Sequence, residues 1–181
     1  MLDESPTTNR DAGTRPAQGL PSVPGRVRQV AVPSTARALT TLSSVEYADA
    51  FVLETTATQE RTPEQWARVI LEGAPSVPQR LVLGLLSAIG LQLAPIPSEG
   101  FIVGWKIQRS TPEFVLLAAS SSRIGLSGEL LFQPQQQTLL WTTFVQLDRP
   151  LARAVWAALS PVHRRVVRYL LGQTRPRRSG A

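Results

Sequence analysis

Between Ile102 and Asp148 the chain passes through four short β-rich stretches, and from Arg149 to Gly172 it carries one amphipathic, arginine-rich helical pattern. The stretches are 102–108, 113–120, 125–133 and 138–147. They are separated by Thr111-Pro112, Ser121-Ser122-Arg123 and Gln133-Pro134-Gln135. These breaks are polar and turn-like, and far too short for a helical crossover, so they favour antiparallel hairpins. Strands in series closed by one long helix predict an α+β fold. The expected form is a curved antiparallel sheet gripping the C-terminal helix, an arrangement that often encloses a pocket.

The upstream half supplies one strand and two helices. In 47–55, Tyr47, Phe51 and Leu53 share one side of a two-residue alternation. Asp49 is the exception on that side, and a bulge or an edge position accounts for it. Thr62-Pro63-Glu64-Gln65-Trp66 starts a helix: Thr62 caps, Pro63 occupies a position where its missing N–H costs nothing, and Gln65 completes a capping box. Trp66, Val69 and Ile70 form its buried stripe and Gly73 ends it. A second helix is expected from Pro78 to Leu91. In the closing helix, Leu151, Val155, Leu159, Val162, Val166 and Leu170 make the apolar stripe, and Ser160-Pro161 marks a kink or the cap of a further helix.

Residues 1–38 contain Pro6, Pro16, Pro21, Pro24 and Pro33 among Ser, Thr, Gly and Arg, and no strand or helix period survives that spacing. They are expected to be a disordered tail, with the domain at 39–172 and a basic tail at 173–181. Charge divides along similar lines. Residues 41–148 hold six basic and ten acidic groups, whereas 149–181 hold eight arginines and no acid. The basic end suits an acidic partner protein or an acidic lipid surface. Nucleic acid would also be attracted, but no reading motif or stacking signature accompanies the charge.

With no cysteine, the chain has no disulfide, thiolate metal site or cysteine nucleophile. A single histidine leaves only carboxylates to complete a metal site, so neither metal nor cofactor is expected. No phosphate loop, nucleophile elbow or Ser/His spacing is present. The first ten residues lack an apolar stretch, and the longest apolar run, 81–91, is about half the roughly 20 residues of a spanning helix. A soluble cytoplasmic protein is the expectation.

Two local stretches add to the element order: Glu46-Tyr47-Ala48-Asp49-Ala50-Phe51 at the first strand and Pro161-Val162-His163-Arg164 in the last helix. Together they resemble uncharacterised bacterial members of the START-like, polyketide cyclase and pollen-allergen superfamily, the helix-grip fold, over residues 45–172. The strand set reads as one or two short of the larger members. The resemblance implies an apolar cavity between sheet and helix. It also implies binding of a lipid, polyketide or other hydrophobic molecule, with catalysis acquired in some members.

The candidate site residues follow. Trp105 and Trp141, each with an apolar residue two places away, line either a pocket or a plain core. Arg109 and Lys106 fall on opposite faces of one strand, so at most one points inward. Asp49 and Glu129 are the carboxylates most exposed to burial. His163 is the natural acid/base group, with Arg164 and Arg165 beside it, or else a packing histidine. Arg153, Arg164, Arg165 and Arg168 form the basic surface. The leading reading is a binding protein for a small hydrophobic or amphipathic molecule. The alternatives are an interaction protein that docks through its basic helix, and a cyclase-like enzyme using His163 or Asp49 as base.

Overall fold

The hairpins read from the sequence pair as expected. In a computed structural model describing residues 26–55, 60–73, 84, 90–91 and 99–174, the strands are β1 (Val27–Val30), β2 (Tyr47–Glu54), β3 (Phe101–Ile102), β4 (Trp105–Ser110), β5 (Val115–Ser121), β6 (Leu126–Pro134) and β7 (Thr138–Leu147). The helices are α1 (Ser34–Arg37), α2 (Pro63–Glu72) and α3 (Pro150–Gln173). The strands form one curved antiparallel sheet in the order β1-β2-β7-β6-β5-β4-β3. The helix expected at 78–91 falls outside the described residues apart from Gly84, Gly90 and Leu91. So do residues 1–25 and 175–181 of the two tails. Among the described residues no helix is long and apolar enough to cross a membrane.

Alternation along the strands sends one set of side chains to each face of the sheet. Phe51, Leu53, Val115, Leu117, Leu130, Phe132, Leu139 and Trp141 meet α2 and the C-terminal part of α3 in the main core. On the other face Ala50, Val52, Leu116, Leu131, Leu140 and Phe144 are covered by residues 30–45, through Ala36, Leu39, Leu42 and Val45. The proline-rich segment is therefore not irregular up to residue 38. Val27 to Val30 pair with Leu53 to Ala50, and Ala36 is fully buried. These residues gain order from the open edge of β2, which no local pattern announces.

α2 starts as its sequence dictates. Thr62 Oγ1 accepts from the Gln65 N–H at 3.2 Å, and Gln65 Oε1 accepts from the Thr62 N–H at 2.9 Å. Trp66, Ala67, Ile70 and Leu71 face the core, whereas Val69 is 38% exposed and leaves the expected stripe.

Two further local readings change. The run expected at 102–108 is broken by a tight hairpin at Val103-Gly104, both at positive φ (50° and 83°). A β-branched residue there is strained, but Val103 is 7% exposed and packs into the main core. A register shift between Ile107 and Arg109 places Arg109 opposite Leu116, while Lys106 lies opposite Ala118. Because of that bulge both cations share the face turned away from α3.

α3 is one continuous helix of 24 residues with Pro161 inside it. Proline removes the N–H that would bond the Ala157 carbonyl, and the Ser160 hydroxyl donates to that oxygen instead, at 3.5 Å.

Candidate functional site

The inward face of α3 is not the stripe of β-branched and leucine residues alone. Ala152 is buried near its N-terminal end, and Val167 and Leu171 are buried near its C-terminal end. Leu151, expected inside, is 57% exposed, and Val162, 47% exposed, lines the cavity at its open edge. Between the two anchored ends the helix bridges the sheet. Trp156, Leu159, His163 and Val166 look down on Leu130, Trp141, Thr143 and Val145, and the space between them is a cavity of about 150 Å³. Gly128 helps keep its floor open. It pairs with Ala119 and Val145, and a Cβ placed on it would lie 3.4 Å from Trp105 Cη2, so the Trp105 ring closes over the glycine at one side.

A polar wall borders this cavity where β2 passes under α3. Asp49 sits in regular register opposite Thr143, with no bulge, and is 3% exposed. Its burial comes from the helix above. The Tyr47 hydroxyl, on the same face two residues away, donates to Asp49 Oδ2 at 2.6 Å. His163 Nε2 lies 3.5 Å from that same oxygen, an ion-pair distance without hydrogen-bond geometry. Trp156 packs edge-on against Tyr47, with ring centroids 5.0 Å apart, and tilts against His163 at 5.4 Å. Several polar atoms here are buried without a hydrogen-bond partner among the described residues: Asp49 Oδ1, Thr143 Oγ1, Trp141 Nε1, Trp156 Nε1 and His163 Nε2. Such groups cost free energy unless something satisfies them.

Burial, followed by the hydrogen bond to Asp49 and the charge of that carboxylate, pushes the Tyr47 phenol well above its ordinary value of 10; Arg164 opposes this in part. The sign of its effect on stability follows. Above pH 10 the unfolded chain releases the Tyr47 proton and the folded chain retains it, so rising pH favours unfolding. The Tyr47 contribution is thus complete at neutral pH and declines from about pH 10 upward. In Tyr47→Phe the urea midpoint should fall less steeply above pH 10 than in the wild type. Equal slopes would show that Tyr47 ionises freely in the folded protein.

The candidates from the sequence therefore divide by location. Trp105, Trp141 and His163 line the cavity, and Asp49 stands behind His163. Arg109 is elsewhere, its guanidinium 5.9 Å from the Phe114 ring on the opposite face. Glu129 is also on that face, 1% exposed, accepting from the Thr40 and Thr41 hydroxyls and the Thr41 N–H. Arg164, Arg165 and Arg168 border a separate open groove with Gln29 and Pro161. Arg168 donates to Gln29 Oε1 at 2.9 Å and lies 5.5 Å from the Phe51 ring, tying α3 to β1 and β2. Arg153 lies on the exposed side of the helix near Glu46, whose carboxylate it helps to stabilise.

Sequence reasoning missed Tyr47, Thr143 and Trp156 as members of the site. For Trp156 a signal existed: Ala152, Trp156, Leu159, His163 and Val167 follow spacings of three and four. Among the described residues no group of three or more His, Cys, Asp or Glu is placed to hold a metal ion.

No family model matches the chain, and neither the curated proteins nor the solved structures contain a match.

Proposed function

We propose that this protein binds a small hydrophobic or amphipathic molecule in the cavity between the sheet and α3. The observation that carries the reading is a partly open cavity with mainly apolar walls, bordered by the polar cluster of Tyr47, Asp49 and His163. Apolar burial supplies affinity, and the few polar groups fix orientation. The volume, about 150 Å³, suits a compact molecule or one end of a longer one. A cavity of this order accepts a benzene-sized body. The element order and the resemblance to the helix-grip superfamily support the same reading.

Native mass spectrometry of the purified chain, set against its denatured mass, tests this directly. Extra mass lost on denaturation is the expected result. A bare mass, together with no binding of any small apolar probe, would overturn it.

A second reading has its own support. Leu151, Val162 and Tyr169 are 57%, 47% and 44% exposed on α3, and their spacings of eleven and seven residues place them on one side of the helix. Arg164, Arg165 and Arg168 lie beside that strip with no carboxylate in ion-pair distance among the described residues. Such a helix suits an acidic lipid surface. Co-sedimentation with phosphatidylglycerol vesicles that is unchanged in the triple arginine-to-alanine variant would remove this reading.

A further inference from the structure

We infer that the groove between α3 and β1 is a phosphate site, and that its occupant is the phosphomonoester headgroup of an anionic lipid. The inference rests on the acidic-surface reading and names the group that is bound. Gln29, Pro161, Arg164, Arg165 and Arg168 line this open groove of about 340 Å³, and none of them lines the cavity beneath α3. Arginine itself carries no signal, since Lys106 is the only lysine of the chain. The missing acid does. In α2, Arg68 has Glu64 and Glu72 four residues to either side and pairs with both, at 2.9 and 3.0 Å. In contrast, α3 holds four arginines and no Asp or Glu. Arg168 follows Arg164 by four residues and Arg165 by three, spacings at which like charges destabilise a helix. None of the three lies within ion-pair distance of a carboxylate among the described residues, and Glu54, on the strand next to β1, pairs with Arg28 at 3.6 Å. An anion in the groove relieves that repulsion.

One of the three is already set in place. Arg168 donates to Gln29 Oε1 at 2.9 Å and lies 5.5 Å from the Phe51 ring, which orients the guanidinium while spending one of its five donors. Three guanidinium groups suit a phosphomonoester better than a carboxylate. The monoester carries about −1.5 to −2 charges at pH 7 and three acceptor oxygens, so several arginines can bond it at once. A carboxylate brings one charge and is filled by a single bidentate arginine. The lipid source follows from what adjoins the groove. Arg165 follows Val162 by three residues and precedes Tyr169 by four, so the rim of the groove meets the exposed apolar strip. A headgroup held by the arginines lays Leu151, Val162 and Tyr169 against the acyl boundary.

The test uses the full chain labelled with ¹⁵N-arginine and three probes: glycerol 3-phosphate, phosphatidate vesicles and phosphatidylglycerol vesicles of matched surface charge. Glycerol 3-phosphate is expected to move the Nε–H signals of Arg164, Arg165 and Arg168, assigned by single arginine-to-lysine variants, and to leave that of Arg68 in place. Phosphatidate vesicles should bind at least about tenfold more tightly than phosphatidylglycerol vesicles. Arg164→Gln combined with Arg165→Gln, which keeps the Arg168–Gln29 contact, should erase that preference. Equal binding to the two vesicles would overturn the phosphomonoester site while leaving the acidic-surface reading intact. Signals moved by glycerol 3-phosphate without binding to either vesicle would overturn the lipid source in favour of a soluble phosphate ester. If neither vesicle binds and no signal moves, the site and the acidic-surface reading fall together.

Discussion

Replacing Glu129 by alanine is expected to lower the free energy of unfolding by about 3 kcal/mol, more than any single surface change in this chain. Glu129 sits in β6 between Ala118 and Phe144, on the face away from α3, and is 1% exposed. Its two oxygens accept from the hydroxyls of Thr40 and Thr41 and share the Thr41 N–H at 3.2 Å. Gln108 extends the network by donating to Thr41 Oγ1 at 2.7 Å. Hydrogen bonds to an ionised group contribute about 1.5–3 kcal/mol each when buried, though not additively. Alanine removes the acceptors and leaves the Thr41 amide without a partner inside the protein. The covering segment that carries Leu39 and Leu42 then loses its anchor. Glu129→Gln should cost less, about 1–2 kcal/mol. The threonine hydroxyls can turn to accept from the new amide, and the Thr41 N–H keeps one of its two acceptor oxygens. Urea denaturation measures both variants, and hydrogen exchange at the Thr41 amide locates the change. An alanine variant within about 0.5 kcal/mol of wild type would show that the segment is held by its apolar contacts alone.

The same carboxylate illustrates what the sequence makes legible. Period-two alternation placed Glu129 in a strand among apolar residues and so marked it for burial. It could not supply the threonines, which lie far away in the chain and reach β6 only because residues 30–45 fold across the sheet. β1 is a similar case. Val27-Arg28-Gln29-Val30 is four residues long and flanked by prolines, too short for periodicity to register, and its partner edge on β2 is a tertiary feature. The hairpin at Val103-Gly104 hid for a different reason. Tight turns of positive φ favour Asn or Gly at their first position, and the buried Val103 side chain overrides that preference. With β1 and β3 added, the sheet reaches seven strands, which explains why the strand set read from the sequence fell short.

The site was partly readable. Tyr47 and Asp49 share a face by alternation alone, and burial of the aspartate follows once β2 is known to lie under α3. The expected stripe of α3 favoured residues by hydrophobicity and so passed over Trp156 and His163, whose polar tips disguise inward positions. The void itself has no sequence signal beyond the small residues Gly128 and Ala119. It lies beside the contact of Trp156 and His163 with β2, where α3 faces Gly128, Leu130, Trp141 and Thr143 across an unfilled gap.

That geometry makes a prediction of unusual sign. Thr143→Ile should stabilise the unliganded protein by about 1 kcal/mol and weaken binding of a cavity probe such as cyclohexanone by at least about tenfold. Thr143 lies on the floor opposite Asp49 and Leu130, is 3% exposed, and holds a buried hydroxyl without a partner among the described residues. Isoleucine keeps the β-branch that suits a strand, removes the unsatisfied hydroxyl and adds about 50 Å³ of apolar volume. At about 24 cal/mol per Å³ of cavity, that volume corresponds to about 1 kcal/mol. In a core already filled, the same substitution would be overpacked and would cost about 1–3 kcal/mol. The sign of the stability change therefore distinguishes a real cavity from a closed core without reference to any ligand. A stable variant that still binds the probe as tightly as wild type would place the probe somewhere other than beneath α3. Destabilisation would mean that Thr143 has no free space above it and that the space beneath α3 is already a closed core.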